Sequence, residues 1–268
     1  MKKKIFRWVK VLILLYCIIG IAVYYLQDKL LFHPVAVDKQ TNYHFTQPYR
    51  EVNIPYNQEI NLNVIQFKPS LDTPKGVVLY FHGNKDNVTH YAPYAADFTQ
   101  KGYEVWMLDY PGFGKSTGKF SEDNLYKYAL IIYKLARSRW TPDHIILYGK
   151  SLGTGVAAQL ASVRDCRRLI LECPYYSMTS LARRYLFLYP VGNILHYRFP
   201  TNEYLPAVTA PITIFHGTDD GVVSYSNATR LKALLKPGDE FITIDGGGHN
   251  DLHDHPLFNQ KLAEVLNR

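Results

Sequence analysis

The sequence predicts an α/β protein with a mainly parallel central sheet of about eight strands and helices on both faces, preceded by one N-terminal transmembrane helix. Short, continuously apolar runs alternate with helical patterns along most of the 268 residues. Such runs are typical of parallel strands that are buried on both faces of a sheet. A hydrophobic fraction of 47% beside a charged fraction of 20% excludes a disordered chain.

The N-terminus has the pattern of a membrane anchor. The 19 residues from Trp8 to Leu26 are nearly all apolar, and a membrane-spanning helix needs roughly 20. Positive residues at the start of the chain predict a cytoplasmic N-terminus and an extracytoplasmic body, periplasmic in a bacterium. A cleaved signal peptide is the alternative, but its apolar core would be shorter, about 7–15 residues, and a small-x-small site would follow.

The net charge of +7 does not indicate a nucleic-acid partner. Five positive residues, Lys2, Lys3, Lys4, Arg7 and Lys10, lie in the N-terminal tip, which leaves the rest of the chain at +2 without a long basic run. Of the three cysteines, Cys17 lies in the apolar segment, and Cys166 and Cys173 flank a predicted strand that keeps them too far apart for a disulfide.

The sequence divides into three parts: a basic tip and anchor (1–26), a polar and aromatic connector (27–48) and one α/β domain (49–268). Predicted strands are Glu51–Pro55, Leu62–Phe67, Val77–Phe81, Glu104–Leu108, His144–Tyr148, Leu169–Leu171, Ile212–Phe215 and Phe241–Ile244, the first two as an antiparallel edge. Predicted helices are Asn124–Arg137, Leu152–Val163, Asn227–Leu235 and Pro256–Leu266. The aromatic stretch 174–210 breaks this alternation and is expected to form a lid-like insertion.

The pentapeptide Gly149-Lys150-Ser151-Leu152-Gly153 stands between a predicted strand and a predicted helix. A nucleophile elbow needs this setting, because glycines two residues before and after the serine permit a tight, strained turn that exposes the hydroxyl. Ser151 is therefore the candidate nucleophile, and an idle serine in a glycine-rich turn is the alternative.

A serine nucleophile needs a histidine base and a carboxylate that orients the histidine. Asp219 and Asp220 follow the strand Ile212–Phe215, and His249 follows the strand Phe241–Ile244. The order serine, acid, histidine is the one that hydrolases with a nucleophile elbow use. At this point either aspartate could be the acid.

An oxyanion needs backbone donors, one from the residue after the nucleophile and one from the loop after the third strand. Leu152 and Asn84 occupy these two positions. The loop with His249, Asp251, His253 and His255 has metal-ligand side chains. We nevertheless expect no metal and no cofactor, because the triad requires His249, whereas His253 and His255 are expected to be exposed residues before the last helix.

These motifs together resemble the α/β-hydrolase superfamily, and within it the membrane-anchored group that includes depalmitoylases and lysophospholipases. The resemblance covers nearly the whole chain and is carried by the elbow and by five further segments: Gln27–Pro34, His82–Asn87, Asp109–Ser116, His216–Asp220 and Gly248–Asp251. It implies that Asp220, with Val223 after it, is the triad acid and that Asp219 is the second choice. Ser224 departs from the family pattern, in which many members have proline.

The sequence thus predicts a serine hydrolase that cleaves carboxylic esters or thioesters through an acyl-enzyme, with a lipid-like or acylated substrate. Aromatic residues of the insertion are expected either to line an acyl pocket or only to pack the lid onto the body. These are Tyr175, Tyr176, Tyr185, Phe187, Tyr189, Tyr197 and Phe199. A serine peptidase and an inactive, membrane-anchored binding domain are the alternatives.

Overall fold

An eight-stranded sheet forms the centre of the molecule in the computed structural model, which describes residues 1–69, 71 and 73–268. Its strands are β1 (Tyr49–Pro55), β2 (Asn61–Phe67), β3 (Gly76–Phe81), β4 (Tyr103–Leu108), β5 (Ile145–Lys150), β6 (Arg168–Glu172), β7 (Ile212–Gly217) and β8 (Glu240–Ile244). Their spatial order is 1-2-4-3-5-6-7-8. The pairs β1–β2 and β2–β4 are antiparallel and all other neighbours are parallel, which confirms the predicted sheet and its antiparallel edge.

Alternate residues of the central strands face two separate hydrophobic layers. Val77, Leu79 and Phe81 of β3 belong to one layer, and Val78 and Tyr80 belong to the other. All six residues of β3 are buried. This explains why the strand reads as a continuous apolar run, since a strand with helices on both faces has no side that needs polar residues.

Four long helices accompany the sheet: α1 (Lys2–Leu31), α2 (Glu122–Arg137), α3 (Leu152–Val163) and α4 (Pro256–Asn267). Helix α2 begins two residues before the prediction because Ser121 caps it, accepting a hydrogen bond from the backbone N–H of Asn124. The helix predicted at Asn227–Leu235 differs more. It consists of a short α-helical turn, Tyr225–Ala228, followed by a 3₁₀ segment, Thr229–Leu234.

Helix α1 is long and apolar enough to cross a membrane by length and composition. It continues to Leu31, five residues beyond the apolar run, and its last turns contact the rest of the molecule. Just after it, His33–Pro34 forms a short parallel pair with Lys85–Asp86, so the connector joins the loop that follows β3. The sequence predicted neither the helix extension nor this pair.

The segment 174–211 leaves the sheet after β6 and contains only short helices. These are the α-helices Met178–Ala182, Val191–Ile194 and Thr201–Tyr204 and the 3₁₀ helix Leu205–Ala207. We refer to this segment as the cap. The carboxylate of Glu122, at the start of α2, accepts hydrogen bonds from the backbone N–H groups of Arg198 (2.6 Å) and Phe199 (3.0 Å). The cap is therefore fixed to the body on one side, while its helix Val191–Ile194 contacts α1 on the other.

Candidate active site

Ser151 lies in the sharp turn between β5 and α3. Its backbone has φ 51° and ψ −116°, a conformation that is strained for a residue other than glycine. The flanking glycines are required by space: a Cβ at Gly153 would lie 1.9 Å from the carbonyl oxygen of Phe81, and one at Gly149 would lie 2.4 Å from the carbonyl oxygen of Gly153. The sequence therefore folds as a nucleophile elbow because only glycine fits on both sides of the serine.

A chain of hydrogen bonds leads from Ser151 to His249 and Asp220. His249 Nε2 is 2.9 Å from Ser151 Oγ, and His249 Nδ1 is 2.7 Å from Asp220 Oδ2. The other carboxylate oxygen of Asp220 accepts hydrogen bonds from the backbone N–H groups of Val222 (2.9 Å) and Val223 (2.8 Å). The structure thus brings together three residues that are up to 98 positions apart in the sequence.

The environment of Asp220 favours its charged form. Burial alone would raise the pKa of this carboxyl, but the hydrogen bond and charge interaction with His249 outweigh burial, and the pKa is lowered. Asp219 is exposed, and its carboxylate accepts a hydrogen bond from the neighbouring Thr218 hydroxyl at 3.2 Å. Of the two candidate acids, only Asp220 contacts His249 among the hydrogen bonds of the described residues.

Leu152 and Asn84, the expected oxyanion donors, line the same cavity as Ser151. Leu152 is the first residue of α3, where backbone N–H groups have no partner within the helix. Asn84 is held in place from both sides: its carbonyl accepts from the N–H of His33 (2.9 Å), and its side-chain amide donates to the carbonyl of Leu31 (2.6 Å). The connector after α1 therefore positions the loop after β3.

A cavity of about 370 Å³ opens beside Ser151. Most of its lining is apolar. Apart from Asn84, Ser151 and Leu152, the lining comes from the end of α1, the cap and the loop after β7. The lining residues include Leu30, Leu31, Tyr175, Met178, Leu181, Tyr185, Val222 and Val223. Of the aromatic residues expected to line an acyl pocket, Tyr175 and Tyr185 do so, whereas Tyr197 and Phe199 are buried in the packing of the cap.

Cys173 lies close enough to Asp220 and His249 for the three side chains to enclose a metal ion, with ligand atoms within 4.8 Å of one another. Both ring nitrogens of His249 are already engaged, Nδ1 by Asp220 and Nε2 by Ser151. Burial raises the pKa of the Cys173 thiol well above its ordinary value.

Comparisons with known proteins find similarity to hydrolases. A family model described as serine aminopeptidase, S33, matches residues 72–203. Alpha/beta hydrolase domain-containing protein 17C of Xenopus tropicalis is 31% identical over 70% of this chain and 61% of its own length; the human protein of that name is 29% identical over 70% of this chain and 57% of its own. The matched part of the chain thus spans about three fifths of these relatives.

Solved structures show the same fold at low sequence identity. An esterase of Pyrococcus furiosus superposes with a TM-score of 0.69 at 17% identity, over 89% of this chain and 97% of its own. Est1E of Butyrivibrio proteoclasticus with bound ferulic acid gives a TM-score of 0.63 at 21% identity, over 81% and 98%. The chain therefore has the α/β-hydrolase fold and resembles proteins of that name in sequence. The predicted fold is thereby confirmed.

Beneath the elbow lies a buried ionic network that the sequence did not predict. Lys150, the residue before Ser151, pairs with Glu172 at the end of β6, and Glu172 also contacts His253 Nε2 at 3.1 Å. His253 Nδ1 contacts Asp97 at 2.6 Å. The expectation that His253 is exposed is wrong: its side chain is only 10% exposed, because two carboxylates from distant parts of the chain bind both ring nitrogens.

Charge interactions in this network outweigh the effect of burial. Burial would raise the pKa of Glu172, but Lys150 and His253 lower it well below its usual range. For His253, burial favours the neutral ring, but Glu172 and Asp97 raise the pKa to about 9. His253 is thus charged at neutral pH and links the loop of His249 to Glu172 at the end of β6, which in turn pairs with Lys150 at the end of β5.

Proposed function

We propose that this protein is a serine hydrolase that cleaves carboxylic esters or thioesters of lipids or acylated molecules. In this mechanism His249 removes the proton from Ser151, and Ser151 Oγ attacks the acyl carbonyl carbon. Asp220 orients His249 and stabilises its charged form. The protonated His249 then donates its proton to the leaving alcohol or thiol, and water hydrolyses the acyl-enzyme by the same route in reverse.

The backbone N–H groups of Leu152 and Asn84 are proposed to bind the oxyanion that forms on the acyl oxygen. Donors of this kind act on charge that develops in the transition state, and loss of one typically costs about 10²–10³-fold in kcat. The hydrogen bonds that hold Asn84 to the connector support this role, because a preorganised donor needs no rearrangement during the reaction.

The observation that carries the choice of substrate is the apolar cavity of about 370 Å³ beside Ser151. Aliphatic and aromatic side chains favour an acyl chain over a charged group. When the acyl chain enters the cavity, apolar surface of both the chain and the cavity is removed from water, which is favourable. A peptidase is the second candidate, because the matching family model is described as a serine aminopeptidase.

The test uses the full-length protein in detergent micelles and a fluorophosphonate probe, which labels activated serines. The wild type should be labelled and Ser151→Ala should not, while Ser162→Ala, at a serine on the far end of α3, should be labelled like the wild type. Absence of labelling in the wild type would favour an inactive binding domain. A panel of acyl esters, acyl thioesters and aminoacyl amides then separates the esterase from the peptidase.

We also propose that α1 anchors the hydrolase domain, residues 49–268, on the extracytoplasmic side of the membrane. The positive residues before the apolar segment support this orientation. Alkaline phosphatase fused after Arg268 should be active in bacteria, since the enzyme needs an oxidising compartment for its disulfides. An inactive fusion that is made in full would place the body in the cytoplasm.

A further inference from the structure

The cap carries a strongly apolar, solvent-exposed segment, Tyr185–Pro190, which we refer to as the lip. Tyr185 is 63% exposed, Phe187 76% and Leu188 66%. Three large apolar side chains so close together are unusual on a surface that faces water, and such patches mark interaction sites for proteins or membranes. The question is which partner covers the lip.

Contacts between the lip and α1 identify the partner. The Tyr16 hydroxyl donates to the carbonyl of Leu188, and the Tyr189 hydroxyl donates to the carbonyl of Tyr16, both at 2.9 Å. The two rings stack with centroids 4.4 Å apart. Gly20 faces the Tyr189 ring, where a Cβ would approach to 3.0 Å. The lip is therefore attached to the middle of the apolar helix.

This attachment determines the depth of the lip in a bilayer. At about 1.5 Å rise per residue, Tyr16 lies about 15 Å along α1 from Leu26, where the apolar run ends. A helix that spans the membrane from Trp8 to Leu26 thus carries Tyr16 into the hydrocarbon region, even when it is tilted. Leu188 and Tyr189 contact Tyr16 and must enter the bilayer with it.

The polar groups of the lip are compatible with that environment. Backbone polar groups without partners are costly in lipid, and both tyrosine hydroxyls have protein acceptors. Within the lip, the backbone N–H groups of Tyr185 and Leu186 donate to the carbonyl of Ala182, and the N–H of Tyr189 donates to the carbonyl of Leu186. Two exposed arginines, Arg183 and Arg184, precede the lip, at the position where cationic side chains can reach lipid phosphates.

The lip also borders the cavity of the active site. Tyr185 lines the cavity together with Leu30 and Leu31 of α1, so the wall of the cavity consists of the lip on one side and the end of the membrane helix on the other. We propose that the lip inserts into the leaflet on the side of the hydrolase body and that the acyl chain of the substrate passes directly from the bilayer into the cavity between the lip and α1. The route of the acyl chain rests on the proposed function; the insertion of the lip does not.

Insertion is measured by fluorescence on the full-length protein in vesicles of phosphatidylcholine and phosphatidylglycerol. The environment-sensitive dye NBD is attached to Phe187→Cys in a Cys17→Ser background, in which the remaining Cys166 and Cys173 are buried. We expect blue-shifted emission and quenching by lipids with a spin label in the acyl chain. Val163→Cys, at a residue that is 48% exposed on the body, should show neither. The same emission at both positions would overturn the insertion.

The route of the acyl chain is measured by kinetics of the double variant Phe187→Ser, Leu188→Ser. Both side chains lie outside the proposed catalytic machinery. We expect kcat/KM for a long-chain ester embedded in the vesicles to fall about tenfold or more, because the apolar surface that holds the lip in lipid is lost. Hydrolysis of a short, water-soluble ester should change less than twofold. An equal loss of kcat/KM on both substrates, or no loss on either, would overturn the proposed route. If the wild type hydrolyses no ester but the dye at position 187 is inserted, the proposed function alone is contradicted.

Discussion

Asp219 and Asp220 are adjacent in the sequence but differ in what surrounds their carboxylates. Asp220 is buried and contacts His249, whereas Asp219 is exposed. We therefore predict that Asp220→Asn lowers kcat by about 10⁴-fold, the loss typical when the carboxylate that orients the histidine is replaced. Asp219→Asn, the matched control, should stay within about twofold, because a surface substitution leaves the orientation of His249 unchanged.

Steady-state hydrolysis of a short ester by the two variants checks this prediction. Circular dichroism spectra that match the wild type would show that both variants are folded. Equal losses in the two variants, or a larger loss in Asp219→Asn, would contradict the role of Asp220.

His253 makes the stability of the protein dependent on pH. Its folded-state pKa of about 9 lies above the ordinary value of 6.5. The folded protein therefore holds the proton more tightly than the unfolded chain. This stabilisation is fully present below about pH 6.5 and is lost as the pH rises through about 9.

The variant His253→Gln isolates this contribution, because glutamine carries no charge at any pH. We predict that the difference in unfolding free energy between wild type and variant shrinks by about 3 kcal/mol between pH 6 and pH 9.5. Urea unfolding of the full-length protein in micelles gives this difference at each pH. The same difference for Gln260→Ala, a substitution at an exposed residue of α4, should not change. A difference for His253→Gln that is independent of pH would mean that its charge does not stabilise the fold.

At the scale of elements, the strand-turn-helix around Ser151 depends on close packing against β3. A Cβ on Gly153 would lie 1.9 Å from the Phe81 carbonyl oxygen and 2.5 Å from its carbon. We predict that Gly153→Ala lowers the unfolding free energy by about 3 kcal/mol, because backbone atoms rather than a flexible side chain must move. Gly192→Ala, where no atom lies within 4 Å of the new Cβ, should change it by less than about 0.5 kcal/mol. Urea unfolding compares the two, and equal effects would contradict this account.

Elements could be predicted from the sequence where the local pattern of apolar residues and glycines matches the secondary structure that forms. Most central strands of the sheet are short apolar runs, and the elbow has glycines on both sides of its serine. Hydrophobic periodicity and local composition were therefore sufficient to predict these elements. The helix at Asn227–Leu235 was predicted incorrectly because its apolar spacing also suits a 3₁₀ segment. The pairing of His33–Pro34 with Lys85–Asp86 involves two residues on each side, too few to give a periodic pattern.

The sequence did not predict those features of the candidate active site that depend on contacts between distant residues. The burial of His253 results from Asp97, which is 156 positions away, and no local pattern carries that information. The same holds for Leu30 and Leu31, whose place in the cavity wall follows from the attachment of α1 to the cap. The ordered series of serine, aspartate and histidine was predictable because each residue directly follows a strand, and parallel strands bring their carboxyl ends to one edge.

At the scale of the whole molecule, α1 and the hydrolase body are joined by specific contacts rather than by a loose tether. Gln27 is 2% exposed and lies at the centre of the joint. Its side-chain amide donates to the carbonyls of Tyr24 (2.8 Å) and Ile194 (3.1 Å), and its oxygen accepts from the N–H of His196 (2.7 Å). Nearby, the Tyr197 hydroxyl donates to Asp28 at 2.8 Å. Helix and cap should therefore move together.

We predict that Gln27→Ala loosens this joint by about 1–3 kcal/mol, because it removes the two hydrogen bonds that join Gln27 to the carbonyl of Ile194 and the N–H of His196, each of which contributes about 0.5–1.5 kcal/mol. Local opening of the cap should become correspondingly more frequent, roughly tenfold. Limited trypsin digestion of the full-length protein in micelles measures this opening through cleavage after Arg183 and Arg184, which are exposed but need an unfolded backbone to be cut. Gln260→Ala, at an exposed glutamine on α4, serves as the control and should be cleaved like the wild type. If Gln27→Ala is cleaved no faster than this control, the helix does not hold the cap in place, and the wall of the cavity must be stabilised by the contact between the cap and Glu122.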